Sequence, residues 1–403
     1  MNRKTAASRL TRWKAALVLT VASTSLLGAA SASATTYRPV DGPALQTAIT
    51  AANSNAGLDT IILRDDLYQP LTPITITDAL VITGDHANQA LNGGPTIDGS
   101  QVVPYAADFI TVAALTNVNF VGFSLIGATE GIPYAVVRSN GGNIRLDNML
   151  LGGNNGAQFV QSGGATAVLN NTGITDGAVG GITSNASSLT LNNSTVSGNG
   201  NGGIVASGTF RLNNSIVANN DPFGFGQKDC FNRATTQVRS LDSDGSCGVS
   251  LPRVNPLLVS TVNDGGPTAT PKILAGSPAI DAGDNSICPT VDQRFFVRSD
   301  GACDIGSFEF GAQQDVTPPT CVVTALRAGP PKQQDVTVTD SGSGIGPDAI
   351  TDQAITNGSI AFTPFSNPSR SGLVLTATKN DQLTTTRWSF TATDWAGNVK
   401  DCR

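Results

Sequence analysis

Four stretches of this chain repeat one another, and no other feature narrows the fold as much. They are IRLDNMLLGGN from Ile144, AVLNNTGITDG from Ala167, LTLNNSTVSGN from Leu189 and FRLNNSIVANN from Phe210. Aligning them puts Leu146, Leu169, Leu191 and Leu212 in one column, at spacings of 23, 22 and 21 residues. Asn148, Asn171, Asn193 and Asn214 form a second column, and Leu151, Ile174, Val196 and Val217 a third. Gly180-Gly181-Ile182 recurs as Gly202-Gly203-Ile204. Each unit is a set of short alternating apolar runs broken by Asn and Gly, which reads as strands joined by tight turns. Such a unit cannot bury its apolar positions alone. Stacked at the ~4.8 Å strand spacing, successive units bury a continuous column. A sandwich has no need of Asn in register at every repeat, whereas stacked turn amides can hydrogen-bond from coil to coil. The spacing therefore predicts a parallel β-helix, with the Asn column as its ladder. Less regular runs upstream (TIILRDDLY, ITITDALVITG, PTIDGSQ, NVNFVGFSLIG) extend it to about seven coils between Thr60 and Asn220, ~35 Å of rod. Ahead of them, ALQTAITAANSNAG (Ala44–Gly57) places Leu45, Ala48, Ile49 and Ala52 on one helical face, as a cap for the open end of the sheets requires.

The N-terminus reads as a secretory leader. Arg3, Lys4, Arg9, Arg12 and Lys14 precede the apolar run Ala15–Ala30, and Ala32-Ser33-Ala34 supplies an A-x-A cleavage site. Discounting its Ser, Thr and Gly, the run is too short to span a bilayer. Without the leader the chain has 19 Lys+Arg against 30 Asp+Glu, a net charge of −11. That balance argues against nucleic acid and anionic lipid as partners. Export makes the six cysteines readable as disulfides, and neighbour pairing (Cys230–Cys247, Cys288–Cys303, Cys321–Cys402) is preferred among the connectivities open to them. No apolar tail or sorting motif follows Cys402, so a free extracellular protein, expected to be monomeric, is the reading.

The order of leader, LQTAITAAN helix, DTIIL strand and Asn-bearing coils resembles the pectin-lyase-like right-handed β-helix superfamily. NPLLVSTVNDGGPTATPKILAGSPAIDAGD from Asn255 and DQRFFVRSDGACDIGSFE from Asp292 resemble the conserved end of a group of bacterial secreted or surface β-helix proteins that finish in alternative anchors. The resemblance runs from Ala44 to Glu309. One departure is Phe295, where that pattern usually has Gly. Beyond a proline-bearing linker, short strands CVVTAL, DVTVTD, SIAFTPF, GLVLTATK and TRWSFTATDWAGN suggest a small β-sandwich, and FTATDWAGN resembles the last strand of bacterial immunoglobulin-like repeats. The resemblance implies an all-β chain: leader 1–34, right-handed β-helix with helical cap 35–254, conserved segment closing the helix 255–310, linker 311–320, immunoglobulin-like sandwich 321–403. Few contacts are expected to cross the linker.

Signs of catalysis are sparse. The lone histidine, His86, follows a strand in GDHANQ and reads as a solvated turn residue, with no nucleophile or second metal ligand to join it. Of the polygalacturonase-like motifs only the dipeptide Asp65-Asp66 occurs, and neighbours on a strand point to opposite sides. The regular coils offer Asp147, Asp176, Arg145 and Arg211; the two arginines share a repeat position but lie three coils, ~14 Å, apart. Asp147 and Asp176 are the fallback catalytic acids. Asp242 and Asp244, in LDSDGSC, are the calcium candidates, although the distal Glu of a calcium loop is missing and a disulfide-closed turn explains them as well. Asp281, Asp284, Asp292, Asp300, Asp304 and Glu309, mixed with Arg294 and Arg298, read as an internal ion-pair network. No cofactor is implied beyond that calcium. The expectation is a non-catalytic extracellular rod that binds a polysaccharide or cell-surface polymer. A divergent polysaccharide lyase or glycoside hydrolase is the alternative.

Overall fold

The leucine column holds. In a computed structural model, which describes residues 34–64, 67–85, 93–103, 107–129, 134–249, 253–329, 331–362, 373–379 and 387–403, Leu146, Leu169, Leu191 and Leu212 are directly paired partners on successive parallel strands and are fully buried. The column extends upstream through Phe120, Ile82 and Ile61. Leu151, Ile174, Val196 and Val217 are likewise in register, on a second sheet. A third inward column, Ile110, Val137, Phe159, Ile182 and Ile204, completes the core. Three parallel sheets, of nine, eight and six strands, thus wrap a single apolar interior as a β-solenoid of about eight turns. Sequence counting fell one short because the two-residue strand Thr36–Tyr37 and the pieces Thr236–Val238 and Leu241–Asp242 carry too few residues to show alternation. Residues 1–33, with the leader-like segment, lie outside the described residues, as do His86 and Asp65-Asp66.

Glycine enters the repeat through close approach. A Cβ on Gly181 would stand 2.5 Å from the Gly203 carbonyl oxygen, and one on Gly203 would stand 2.4 Å from that of Asp229. The Gly-Gly-Ile repeat therefore marks a corner where adjacent coils leave no space for a side chain.

Both ends of the sheets are covered. The cap is a helix, Gly42–Ala52, whose N-terminus is capped by the Asp41 carboxylate (2.7 Å from the Ala44 nitrogen) and started by Pro43. Leu45, Ala48, Ile49 and Ala52 are its buried face and join the solenoid core. At the other end, Cys230 and Cys247 lie at disulfide distance with Cα atoms 4.9 Å apart, and both belong to the same core.

Residues 255–310 form almost no regular structure. They run as a strap along the flank, over the outer face of the eight-stranded sheet. Ile273, Ala279, Ile305 and Phe308 pack there on Ile216, Ala218 and Leu241. The Asn column is what holds the strap. Asn148, Asn171, Asn193 and Asn214 all have φ between 43° and 54°, the left-handed region that Asn tolerates. Their amides do not stack on one another as expected. Asn148 donates to the Asp292 carbonyl (2.8 Å), Asn171 to that of Val291 (3.0 Å) and Asn214 to that of Asp284 (3.0 Å). The coil-to-coil ladder is one residue earlier, where Asn213 donates to Asn192, Asn192 to Asn170 and Asn170 to Asp147, at 2.7–2.8 Å. The reason is geometric. A residue at the end of a strand still faces its partner at strand spacing, whereas the left-handed residue after it turns its amide outward.

The C-terminal part is a small β-sandwich of two antiparallel sheets. One has four strands in the order 320–327, 333–339, 373–379, 358–362; the other has three, Ile345–Thr356, Arg387–Asp394 and Val399–Cys402. Val336, Val338, Leu375, Phe390 and Ala392 form its core. Cys321 and Cys402 bring the first and last strands to disulfide distance, and Cys288 and Cys303 pair within the strap. One apolar cluster crosses the linker. Trp395 stacks on Phe295 of the strap (centroids 5.0 Å apart), and Val121 and Val291 complete that apolar cluster. Phe295 has φ +64°: this chain accepts a strained backbone there and places an aromatic ring against the sandwich.

Candidate functional site

Of the three sheet faces, the strap covers that of the eight-stranded sheet and, with Trp395, also covers Val121 on the outer face of the nine-stranded one. On the nine-stranded sheet the outward rows are Thr166, Ser188 and Thr209; Arg145, Val168, Thr190 and Arg211; and the ladder from Asp147 to Asn213. Ladder amides satisfy one another, and the hydroxyls of Thr166, Ser188, Thr190 and Thr209 line the same face beside Arg145 and Arg211. Arg145 and Arg211 are separated by Val168 and Thr190, as their spacing requires.

On the six-stranded sheet one outward row runs Thr75, Thr111, Arg138, Val160, Thr183 and Val205. Arg138 is paired with Asp108 at 2.6 Å. The pairing of Ile204 with Cys230 continues this register, so Phe231 follows Val205 in the row. Phe231 is 45% exposed, and beside it in sequence the loop 221–227 presents Phe223 and Phe225 at 62% and 71% exposure. The rings of Phe223 and Phe225 are 5.8 Å apart. This loop is built, not slack: the Asp221 carboxylate accepts the backbone N–H groups of Phe225, Gly226 and Gln227 at 2.8–3.1 Å. Sequence reasoning missed it, although two phenylalanines alternating with glycines outside any strand are a visible signal for exposed rings. Elsewhere, a shallow cleft between the cap helix and residues 72–75 is lined by Gln46, Thr47, Thr50, Ser54, Thr72 and Thr75, with no titratable group.

The sequence-derived acids are not brought together. Asp147 ends a strand of the nine-stranded sheet, pairs with Arg145 at 2.6 Å and accepts from Asn170. Asp176 follows a strand of the eight-stranded sheet and accepts from the Thr261 hydroxyl of the strap; desolvation raises its pKa. Catalysis on a glycosidic bond needs an acid and a base flanking one site, and these two residues do not form such a pair. Asp242 and Asp244 are committed to a turn. Asp242 accepts from Gly245 and Cys247, and Asp244 from Ser246 and Asp229. They belong to no grouping with metal-ligand spacing among the described residues.

The acids of the strap are structural in their contacts. Arg294 binds Asp292 at 2.6 Å and lies over the Phe308 ring, 3.8 Å from its centroid. Arg298 pairs with Glu309, and Asp304 accepts from the backbone of Asp281 and Phe310. Asp292, Asp304 and Glu309 are fully sealed. Burial pushes Glu309 up to about 7 against the pull of Arg298; a sealed carboxyl has no access to substrate. Asp281, Asp284 and Asp300 stand at the edge of this network, where Asp284 and Asp300 cap local turns.

A second acidic centre lies where the linker meets the sandwich. Asp315, Asp340 and Asp394 are buried, and one oxygen of each lies within 4.8 Å of the others. Burial, reinforced by the charges of Asp340 and Asp315, raises Asp394 to about 6. Comparison with known proteins finds no protein-family profile that matches this chain, no similar curated protein and no similar solved structure.

Proposed function

We propose that this is a secreted, non-catalytic rod that binds a polysaccharide or another cell-surface polymer along its six-stranded face, with Phe223, Phe225 and Phe231 as the stacking platform. The observation that carries the reading is this aromatic group: two exposed rings on a hydrogen-bonded loop, Phe223 and Phe225, and a third, Phe231, in a mostly uncharged outward row. Exposed apolar patches of this kind mark binding sites on monomeric proteins, and a ring face suits the apolar face of a sugar. The Thr75, Thr111 and Thr183 hydroxyls of the row add weak hydrogen-bonding positions that suit multivalent contact with a long chain. The leader-like N-terminus supports secretion, and three cysteine pairs at disulfide distance are compatible with it. No described helix is long and apolar enough to cross a membrane. We further read the sandwich as an immunoglobulin-like spacer and the solenoid as pectin-lyase-like.

The mature chain should be retained on one or more insoluble glycans or on whole cells. Replacing all three phenylalanines by alanine should cut retention at least ~10-fold, since each buried ring contributes on the order of 1–2 kcal/mol. Incubation with pectins, alginates and glycosaminoglycans should release no reducing ends. Retention unchanged in the triple variant would overturn the site; turnover lost on Asp147→Asn or Asp176→Asn would establish the enzyme reading instead.

A further inference from the structure

The three carboxylates at the base of the sandwich come from separate pieces of chain. Asp315 belongs to the expected linker, Asp340 follows the strand 333–339, and Asp394 ends the strand Arg387–Asp394. They are 4%, 7% and 1% exposed. Among the described residues, no Lys or Arg nitrogen comes within ion-pair distance of them. What surrounds them is backbone amide. Asp315 accepts from Thr317 and Ser343 (3.0 and 2.7 Å), Asp340 Oδ1 from Gly342 and Gly344 (3.0 and 2.7 Å), and Asp394 from the Asn398 nitrogen (2.8 Å) and side chain (2.9 Å). These donors orient the carboxylates without neutralising them. Independently of the clustering, Asp340 Oδ2 is sealed from solvent and has no hydrogen-bond partner. An unpartnered carboxylate oxygen more than nine-tenths buried is costly unless something positive meets it.

We propose that Asp315, Asp340 and Asp394 bind one divalent cation of the calcium class, which ties the linker to the sandwich. An all-oxygen donor set selects a hard cation, and oxygens up to 4.8 Å apart fit around an ion whose ligands stand at about 2.4 Å. Water completes the shell. The ion also has a structural reach. Trp395 follows Asp394 directly, donates its backbone N–H to the Gly344 carbonyl at 2.9 Å, and stacks on Phe295 of the strap. Fixing the Asp340 and Asp394 loops together therefore fixes the ring that docks the sandwich on the rod. This inference is independent of glycan binding, and of the calcium candidates Asp242 and Asp244.

The test uses the whole mature chain, stripped with chelator and titrated with calcium, and with terbium as a luminescent probe. One ion per chain is expected, with a Kd of about 10⁻⁴–10⁻³ M, the range of extracellular modules. Calcium should raise the unfolding temperature, and tryptophan-sensitised terbium emission should saturate and be displaced by calcium. Asp340→Asn/Asp394→Asn should weaken binding at least tenfold while folding without calcium, because it removes the repulsion that the ion offsets. Trp395→Phe should retain calcium binding but lose most of the sensitised emission. Absence of any calcium-dependent shift in the unmodified chain would overturn the proposal, as would an equal shift in the double variant. Should the double variant fail to fold, one-to-one binding with emission that depends on Trp395 supports the site, and any other stoichiometry or an emission unchanged by Trp395→Phe overturns it.

Discussion

Asn171 shows how one residue serves both backbone and contact. Its φ of 45° suits Asn and Gly, and its amide donates to the Val291 carbonyl, 120 residues away. Two costs follow when it is replaced. Alanine meets the left-handed conformation at ~1–2 kcal/mol and removes a buried hydrogen bond worth ~1 kcal/mol. Asn171→Ala should therefore destabilise by ~2–3 kcal/mol and Asn171→Gly by only ~1 kcal/mol, read from the midpoint of denaturant unfolding. Equal losses in the two variants would show that backbone strain is not at issue. Phe295 is the opposite case, a bulky residue kept at φ +64° with its ring against Trp395.

At the scale of an element, the inward columns were legible and their surroundings were not. Leucine recurrence reports on pairing between neighbouring coils, and pairing is all the column requires. Leu191→Ala, in the middle of the column, should cost ~3–5 kcal/mol through the cavity it leaves, whereas Thr190→Ala, facing outward one residue earlier, should stay within ~0.5 kcal/mol; thermal unfolding of the pair checks this. The Asn column misled because its partners come from the strap, and no local pattern records a contact over 120 residues. The twelve-residue strand Ile345–Thr356 escaped notice because Gly346, Pro347 and Asp348 interrupt its alternation and its pairing shifts register twice. The Asp315–Asp340–Asp394 centre was hidden for a related reason. Each acid sits in an ordinary turn, and only the closed sandwich brings the three turns together.

For the whole molecule, the cysteine pairing separates two bodies that can be followed independently. Trp388 and Trp395 are the only tryptophans beyond the leader-like segment, and both are in the sandwich. Closing a loop of 81 residues contributes up to about 4–5 kcal/mol in the chain-entropy picture. The Cys321→Ser/Cys402→Ser chain should thus lose tryptophan-reported structure at markedly lower denaturant, while the β-sheet circular dichroism of the solenoid melts where it did before. A matching early loss of solenoid signal would mean that the Phe295–Trp395 contact couples the two into one cooperative unit.

The strap makes the rod's length something other than a free variable. A solenoid grows by copying a coil, one ~4.8 Å step at a time, and nothing inside the stack counts the copies. The strap does count them. Its contacts begin where the Pro267 carbonyl takes the Gly94 N–H, pass through Asn148, Asn171 and Asn214, and end on Leu241. A coil duplicated anywhere in that reach would push every later anchor one step out of phase with a segment of fixed span. Before Gly94, between the cap helix and that anchor, an extra coil meets no such gauge among the described residues. A coil added by duplication should therefore be tolerated near the N-terminal end and should destabilise the chain inside the strapped portion.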